Sequence, residues 1–186
     1  IKGTVRRGDD LGDDYEQLQS LKESQKNQAE NLMIVDLVRH DFSHVCEVGS
    51  VEVKQLMTIE SYPTVHHMVS TISGKKQSEQ TMVSCIRATF PGGSMTGAPK
   101  LRTMSIIDGV ETSPRGVYSG TIGYLSLNGC MSLNIVIRTA VFDAKSGDGT
   151  VVIGSGGAVT VLSSVEEEYD EMMLKSRALL ECFGRT

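Results

Sequence analysis

Apolar and polar residues recur along this chain in two different periods, and the switches between them mark out its elements. Over residues 23–39 the apolar positions Met33, Ile34 and Leu37 fall on one stripe of a helix. Residues 5–20, rich in Asp and Gly, read as a solvated loop from which a helix begins between Tyr15 and Leu21. Extended segments are expected at 51–54, 57–60 and 64–72, and helices at 78–90 and 99–108, with Gly109 as a stop. The plainest β pattern is 117–127, then Asn128-Gly129, then 130–142, a hairpin on a two-residue type I′ turn. A turn at 145–149 and a strand at 150–153 would extend it to a three-stranded meander. The last helix, 164–183, is expected to bury Tyr169, Met172, Met173, Leu179, Leu180 and Phe183. The fold class is therefore α+β, with antiparallel sheets packed against helices.

Several residues do not suit these patterns, and they carry the chemistry. Glu30 lies on the apolar stripe of its helix, so its carboxylate must be paired, hold a metal or be protonated. Glu168, Glu171 and Lys175 sit within roughly 60° of one another at the border of the last helix's apolar stripe. Arg138 falls in the middle of an expected strand, where an arginine is either paired or forms a floor for carboxylates. Pro91-Gly92-Gly93-Ser94-Met95-Thr96-Gly97-Ala98-Pro99-Lys100 reads as an anion cradle leading into a helix, or as a turn whose hydroxyls cap that helix. The run Gly154-Ser155-Gly156-Gly157-Ala158 after a strand suits a backbone nest for an anion. His40 and His44 have metal-binding spacing on a continuous helix, but the helix is expected to end near Arg39. His66 and His67 point to opposite faces of a strand.

Composition narrows the function classes. The apolar fraction of 39% and charged fraction of 22% are those of a globular protein. A net charge of −5 without a block of Lys or Arg argues against nucleic acid or an anionic membrane as the main partner. The four cysteines are far apart and suggest reduced thiols, not a zinc or redox motif. The sequence shows no apolar run of membrane-spanning length and no leader, which favours a cytoplasmic location. Because the chain opens Ile1-Lys2-Gly3-Thr4 without an initiator Met, it is expected to be a fragment, with any targeting signal upstream.

Four stretches together resemble the chorismate-utilising enzymes. They are Ala29-Glu30-Asn31-Leu32-Met33-Ile34-Val35-Asp36-Leu37-Val38-Arg39, Phe90 to Lys100, Ile137-Arg138-Thr139, and Glu168-Tyr169-Asp170-Glu171. Their order and spacing match along nearly the whole chain, which would make residues 1–186 the C-terminal portion of one chorismate-binding catalytic domain, incomplete at its N-terminus. Ile1-Lys2-Gly3-Thr4 is similar to the version in the aminodeoxychorismate synthase branch, where anthranilate synthases carry Ala in place of Lys. Departures from the family pattern stand at His40, Ser43 and His44, and at Ala158 with residues 160–162.

The resemblance implies Mg²⁺ as cofactor, with Glu30 and Glu171 as ligands and Glu168 beside the metal or its waters. It implies His67 near a departing hydroxyl, and Tyr118, Arg138 and Lys175 holding substrate carboxylates, with Ser94 and the Gly156-Gly157 backbone completing the pocket. Lys2 would add to C2 of chorismate as the C4 hydroxyl leaves; ammonia would then enter at C4 and expel the lysine, giving 4-amino-4-deoxychorismate. A nucleophilic amine has to be neutral, so it needs a site sheltered from water or beside another cation. No glutamine amidotransferase nucleophile motif is present, so ammonia would come from a partner subunit, a fused domain or free solution. Anthranilate synthesis, or binding of chorismate and Mg²⁺ without turnover, are the rival readings. The two-residue turn would also pair Ser119 with Arg138 and leave Tyr118 on the opposite face, so a bulge must intervene or one assignment fails.

Overall fold

The computed structural model describes residues 1–144, 149–161 and 163–184. The turn expected at 145–149 lies almost wholly outside the described residues, as does Leu162 in the variant segment after Ala158. The chain forms two compact units, residues 1–104 and 105–186.

In the first unit, β1 (Thr4–Arg6), α1 (Leu11–Glu23) and α2 (Gln25–Ser43) precede β2 (Glu52–Ser61), β3 (Val65–Ser73), α3 (Met82–Thr89) and the short α4 (Gly93–Thr96). A further helix, α5 (Lys100–Val110), runs across the division between the units. The sheet has the order β1-β3-β2 and is antiparallel throughout, with Thr4 and Glu60 flanking His67 of the central strand. Leu21, Val35, Leu37 and Met68 lie in its core.

The acidic stretch read as a loop is the first turn of α1. Asp10 caps that helix by accepting from the Gly12 and Asp13 amides, which places Asp13 and Asp14 at the positive end of the helix dipole. Ser24 then ends α1 and caps α2 by accepting from the Asn27 amide, so one residue divides what the apolar spacing alone reads as continuous helix. The most deeply buried line of α2 contains Asn31, Val35, Leu37 and Asp41, while Met33 and Ile34 are only half-buried. Helix α2 also runs four residues past Arg39. The two extended segments expected at 51–54 and 57–60 are one strand, β2, with register shifts that carry it past Met57 in a left-handed conformation. Helix α3 starts at Met82 because Thr81 and Ser84 form a capping box. Helix α5 continues through Gly109 to Val110.

Asp14 joins α1 to the sheet. Its carboxylate accepts two bonds from Arg7, at 2.7 and 2.8 Å, one from the Gly8 amide at 2.8 Å, and one from Nε2 of buried His66 at 3.0 Å. His66 Nδ1 in turn lies 2.8 Å from the Ser61 hydroxyl. The Arg7 bonds, then the Gly8 amide and His66, hold the Asp14 carboxyl well below the usual carboxylate range. The folded protein thus binds this proton less tightly than the unfolded chain, whose aspartates titrate near about 3.9. The stabilisation from Asp14 is complete above that value and is lost as pH falls below it toward the folded-state value. Denaturant midpoints measured from pH 6 down to pH 2.5 should therefore fall more steeply for the unaltered chain than for Asp14→Asn. Parallel curves would show that this carboxylate is not the linked group.

The second unit holds β4 (Thr121–Leu125), β5 (Met131–Ile135), β6 (Ala140–Asp143), β7 (Thr150–Ile153) and α6 (Val165–Cys182). The expected meander is instead two separate ribbons, β4-β5 and β6-β7. The hairpin turn has three residues, because the Ser126 amide bonds the Cys130 carbonyl and the Gly129 amide bonds the Ser126 carbonyl, with Gly129 at φ 86°. The register accordingly shifts by one, placing Thr121 opposite Ile135. The covered face of α6 is turned toward Glu168, Met172, Lys175 and Ser176, whereas Tyr169, Met173 and Phe183 of the expected stripe are exposed. The glycine-rich segment accounts for this rotation, since Ser155 Oγ donates to the Met172 carbonyl on that side of the helix.

Candidate active site

Three of the expected site residues are organised by β1, β3 and α2. Lys2 precedes β1 and extends its ladder: the Lys2 amide donates to the Met68 carbonyl at 3.1 Å, and the Met68 amide donates to Gly3 at 3.0 Å. Between them Asn31, 2% exposed, donates from its side-chain nitrogen to both the Lys2 and Met68 carbonyls and accepts from Ser70 Oγ. Gly3 has φ 94°, and an added Cβ would lie 2.9 Å from Leu21 and 3.1 Å from Asn27, so conformation and space both require glycine. This frame sets Lys2 Nζ 3.4 Å from Glu30 Oε2, with both side chains largely covered at 18% and 13% exposure. The carboxylate on the apolar stripe is thus paired, by a lysine from the strand. His67 pairs with Thr4, two residues along from Lys2, with its Nδ1 2.7 Å from Thr4 Oγ1 and its ring edge-on to Tyr62.

Ser94 is carried by α4, which packs on α2 further along that helix. A Cβ at Gly93 would lie 3.0 Å from Leu37, so this glycine serves close packing. Lys100, at the other end of the loop, is engaged by Asp41 of α2 at 2.6 Å. The glycine and the lysine of the expected anion cradle therefore both have partners within the fold.

The second unit gathers another group. Lys175 Nζ lies 2.6 Å from Glu171 one helical turn away and donates to the Gly156 carbonyl at 3.4 Å. Glu168 accepts from Ser163 Oγ at 2.9 Å, and its other oxygen would be 2.7 Å from a Cβ at Gly157. Tyr118 Oη would lie 3.1 Å from a Cβ at Gly156, and the Tyr118 ring fills the space beside Gly154. Burial is the main cause pushing the Tyr118 phenol up, which keeps it a hydrogen-bond donor. Glycine at 154, 156 and 157 lets the backbone run against Tyr118 and Glu168, which makes this segment a close-packed strap over charged side chains.

Arg138 is not within a strand. It is exposed, beyond the end of β5, with φ 52°, and Ser119 ahead of β4 has φ 64°. Tyr118 and Arg138 thus lie outside the paired ladder, and the conflict between their faces disappears because neither obeys its alternation. Sequence reasoning missed Asn31, Asp41, Ser163 and Thr4. Asn31 and Asp41 were accessible in principle as polar residues among the apolar positions of α2; Ser163 and Thr4 carry no such signal.

Among the described residues no group of three His, Cys, Asp or Glu side chains converges as a metal site, and no helix is long and apolar enough to cross a membrane. The donor chemistry of Glu30, Glu168 and Glu171 nonetheless suits a hard divalent cation, since all offer carboxylate oxygens. Glu30 and Glu171 are each already beside a positive charge, from Lys2 and Lys175.

The family model described as chorismate binding enzyme matches residues 1–181, and the chain belongs to that family. It is 56% identical over 178 residues to the probable aminodeoxychorismate synthase, chloroplastic, of Oryza sativa subsp. japonica, covering 96% of this chain and 19% of that protein. It is 43% identical over 181 residues to aminodeoxychorismate synthase component 1 of Escherichia coli (strain K12), covering 97% of this chain and 39% of that one. The crystal structure of anthranilate synthase component I from Streptococcus pneumoniae TIGR4 matches with a TM-score of 0.78 at 33% identity, over 96% of this chain and 40% of that chain. The chain thus spans well under half the length of the relatives it matches.

Proposed function

We propose that this chain is the C-terminal part of the catalytic domain of an aminodeoxychorismate synthase. The observation that carries this reading is Lys2 held against Glu30, its amide bonded to Met68, which follows His67 in β3. The relatives named aminodeoxychorismate synthase favour the same branch.

In this reading Glu30 and Glu171 hold Mg²⁺, with Glu168 beside it. Bound there, the ion would offset the charge of substrate carboxylates and polarise the departing hydroxyl. The Lys2 amine has to be neutral to act as a nucleophile. Lys2 then forms a bond to C2 as the bond from C4 to its hydroxyl breaks, and His67 stands ready to supply the proton with which that hydroxyl leaves as water. Ammonia bonds C4, the bond from C2 to lysine breaks, and Lys2 is restored. Tyr118, Arg138 and Lys175 hold the substrate carboxylates, and Ser94 and the Gly156-Gly157 backbone complete the pocket.

Ammonia comes from a glutamine amidotransferase, as a partner subunit or a fused domain; the name component 1 of the E. coli relative accords with a second component. The rice relative's name places that protein in the chloroplast, so a plastid compartment joins the cytoplasmic location expected from sequence. The test is to supply the intact protein with chorismate, Mg²⁺ and ammonia and identify the product. A compound that a separate lyase converts to para-aminobenzoate is expected; fluorescent anthranilate formed directly would overturn the assignment.

A further inference from the structure

The end of α2 carries a pair of imidazoles that the proposed reaction does not use. His40 lies in its last turn and His44 is its C-cap, still in right-handed helical conformation at φ −77° and ψ −20°. The helix is therefore continuous through both residues, and the i, i+4 spacing brings them onto one face. Ser43 Oγ donates to the His40 carbonyl at 2.6 Å and steadies this final turn. Both rings are exposed, stand edge-on at 85° with centroids 4.9 Å apart, and bring their Nε2 atoms within 3.4 Å of each other.

An N–H···N hydrogen bond is ordinarily nearer 3.0 Å, so 3.4 Å is long for one ring donating to the other. Two imidazole nitrogens each about 2.0–2.1 Å from one tetrahedral ion stand about 3.3–3.4 Å apart, with ring centres about 5 Å apart. The observed pair meets both values. We propose that His40 and His44 form a two-imidazole clamp for a first-row transition ion of the Zn²⁺, Ni²⁺ or Cu²⁺ class, with water completing its coordination.

The surroundings fit this occupant. Imidazole nitrogens suit these ions and not Mg²⁺, which prefers oxygen, so the clamp and the carboxylates of Glu30 and Glu171 select different metals. His40 also lines an open groove of about 400 Å³ with Asp36, Arg39 and Glu47, and the two carboxylates are paired with Arg39 and Lys75. Cys46 borders the same groove but is buried, and burial pushes its thiol up.

The experiment is calorimetric titration of the intact, chelator-stripped protein with ZnCl₂ and, separately, CuSO₄ at neutral pH in a non-coordinating buffer. One equivalent is expected to bind, with affinity at least about 10-fold weaker in His44→Asn and absent in His40→Asn/His44→Asn. Copper resonance spectra should show coupling to two imidazole nitrogens in the unaltered chain, and millimolar Mg²⁺ should not compete. Glu30→Gln should keep the site intact. Both histidines are exposed, so the variants should keep their circular dichroism. Undiminished binding in the double-histidine variant, loss of the site in Glu30→Gln, or no binding by the unaltered chain would each overturn the proposal.

Discussion

Replacing Lys2 with alanine in the intact protein should slow amination of chorismate on the order of 10³-fold or more while leaving chorismate bound. The effect is large because no other described amine shares the Lys2 position. Its backbone is stitched to Met68 and to Asn31, and its ammonium faces Glu30 at 3.4 Å. Lys175 is committed to Glu171 and Gly156, and Lys100 to Asp41. Lys2→Arg should not restore turnover, since a guanidinium does not give up its proton. Comparing kcat with a chorismate titration separates the roles: unchanged turnover removes Lys2 from the covalent step, and lost binding with normal turnover at saturation assigns it to holding the substrate.

The largest effect on stability is expected at Asp41. Its carboxylate is 7% exposed and meets Lys100 at 2.6 Å, fastening the start of α5 to the end of α2. Asp41→Ala would leave a largely covered ammonium without its partner, at a cost of about 3–5 kcal/mol. Replacing both partners with apolar residues of similar size, Asp41→Leu with Lys100→Met, should recover much of that loss, because neither charge is then stranded. Denaturant unfolding of the three proteins tests this; a single variant as stable as the original would show that the pair carries no net burden.

Patterning picked out Glu30 as a charge on an apolar stripe, and the fold pairs it with Lys2. Glu168, Glu171 and Lys175 were picked out at the border of a stripe on α6 whose covered face instead carries Glu168 and Lys175. Helices α2, α5 and α6 and strand β3 were visible from their periods. What escaped was set by local chemistry that hydrophobic spacing does not record. The acids before Tyr15 were read as loop because their polarity hid an Asp10 cap, and α2 outran Arg39 because its covered positions include Asp41. The hairpin was misregistered by one residue because Asn128-Gly129 is compatible with both two- and three-residue loops, and Ser126 decides between them through a bond to Cys130. Arg138 was placed in a strand because alternation continues through it, although its backbone has already turned left-handed.

Asn31 grips the strand that bears Lys2 through main-chain carbonyls, which every amino acid supplies. The identity of the side chain at position 2 is therefore uncoupled from the anchoring of its backbone. An exchange at position 2 changes the group presented to Glu30 while the frame that carries it stays in place.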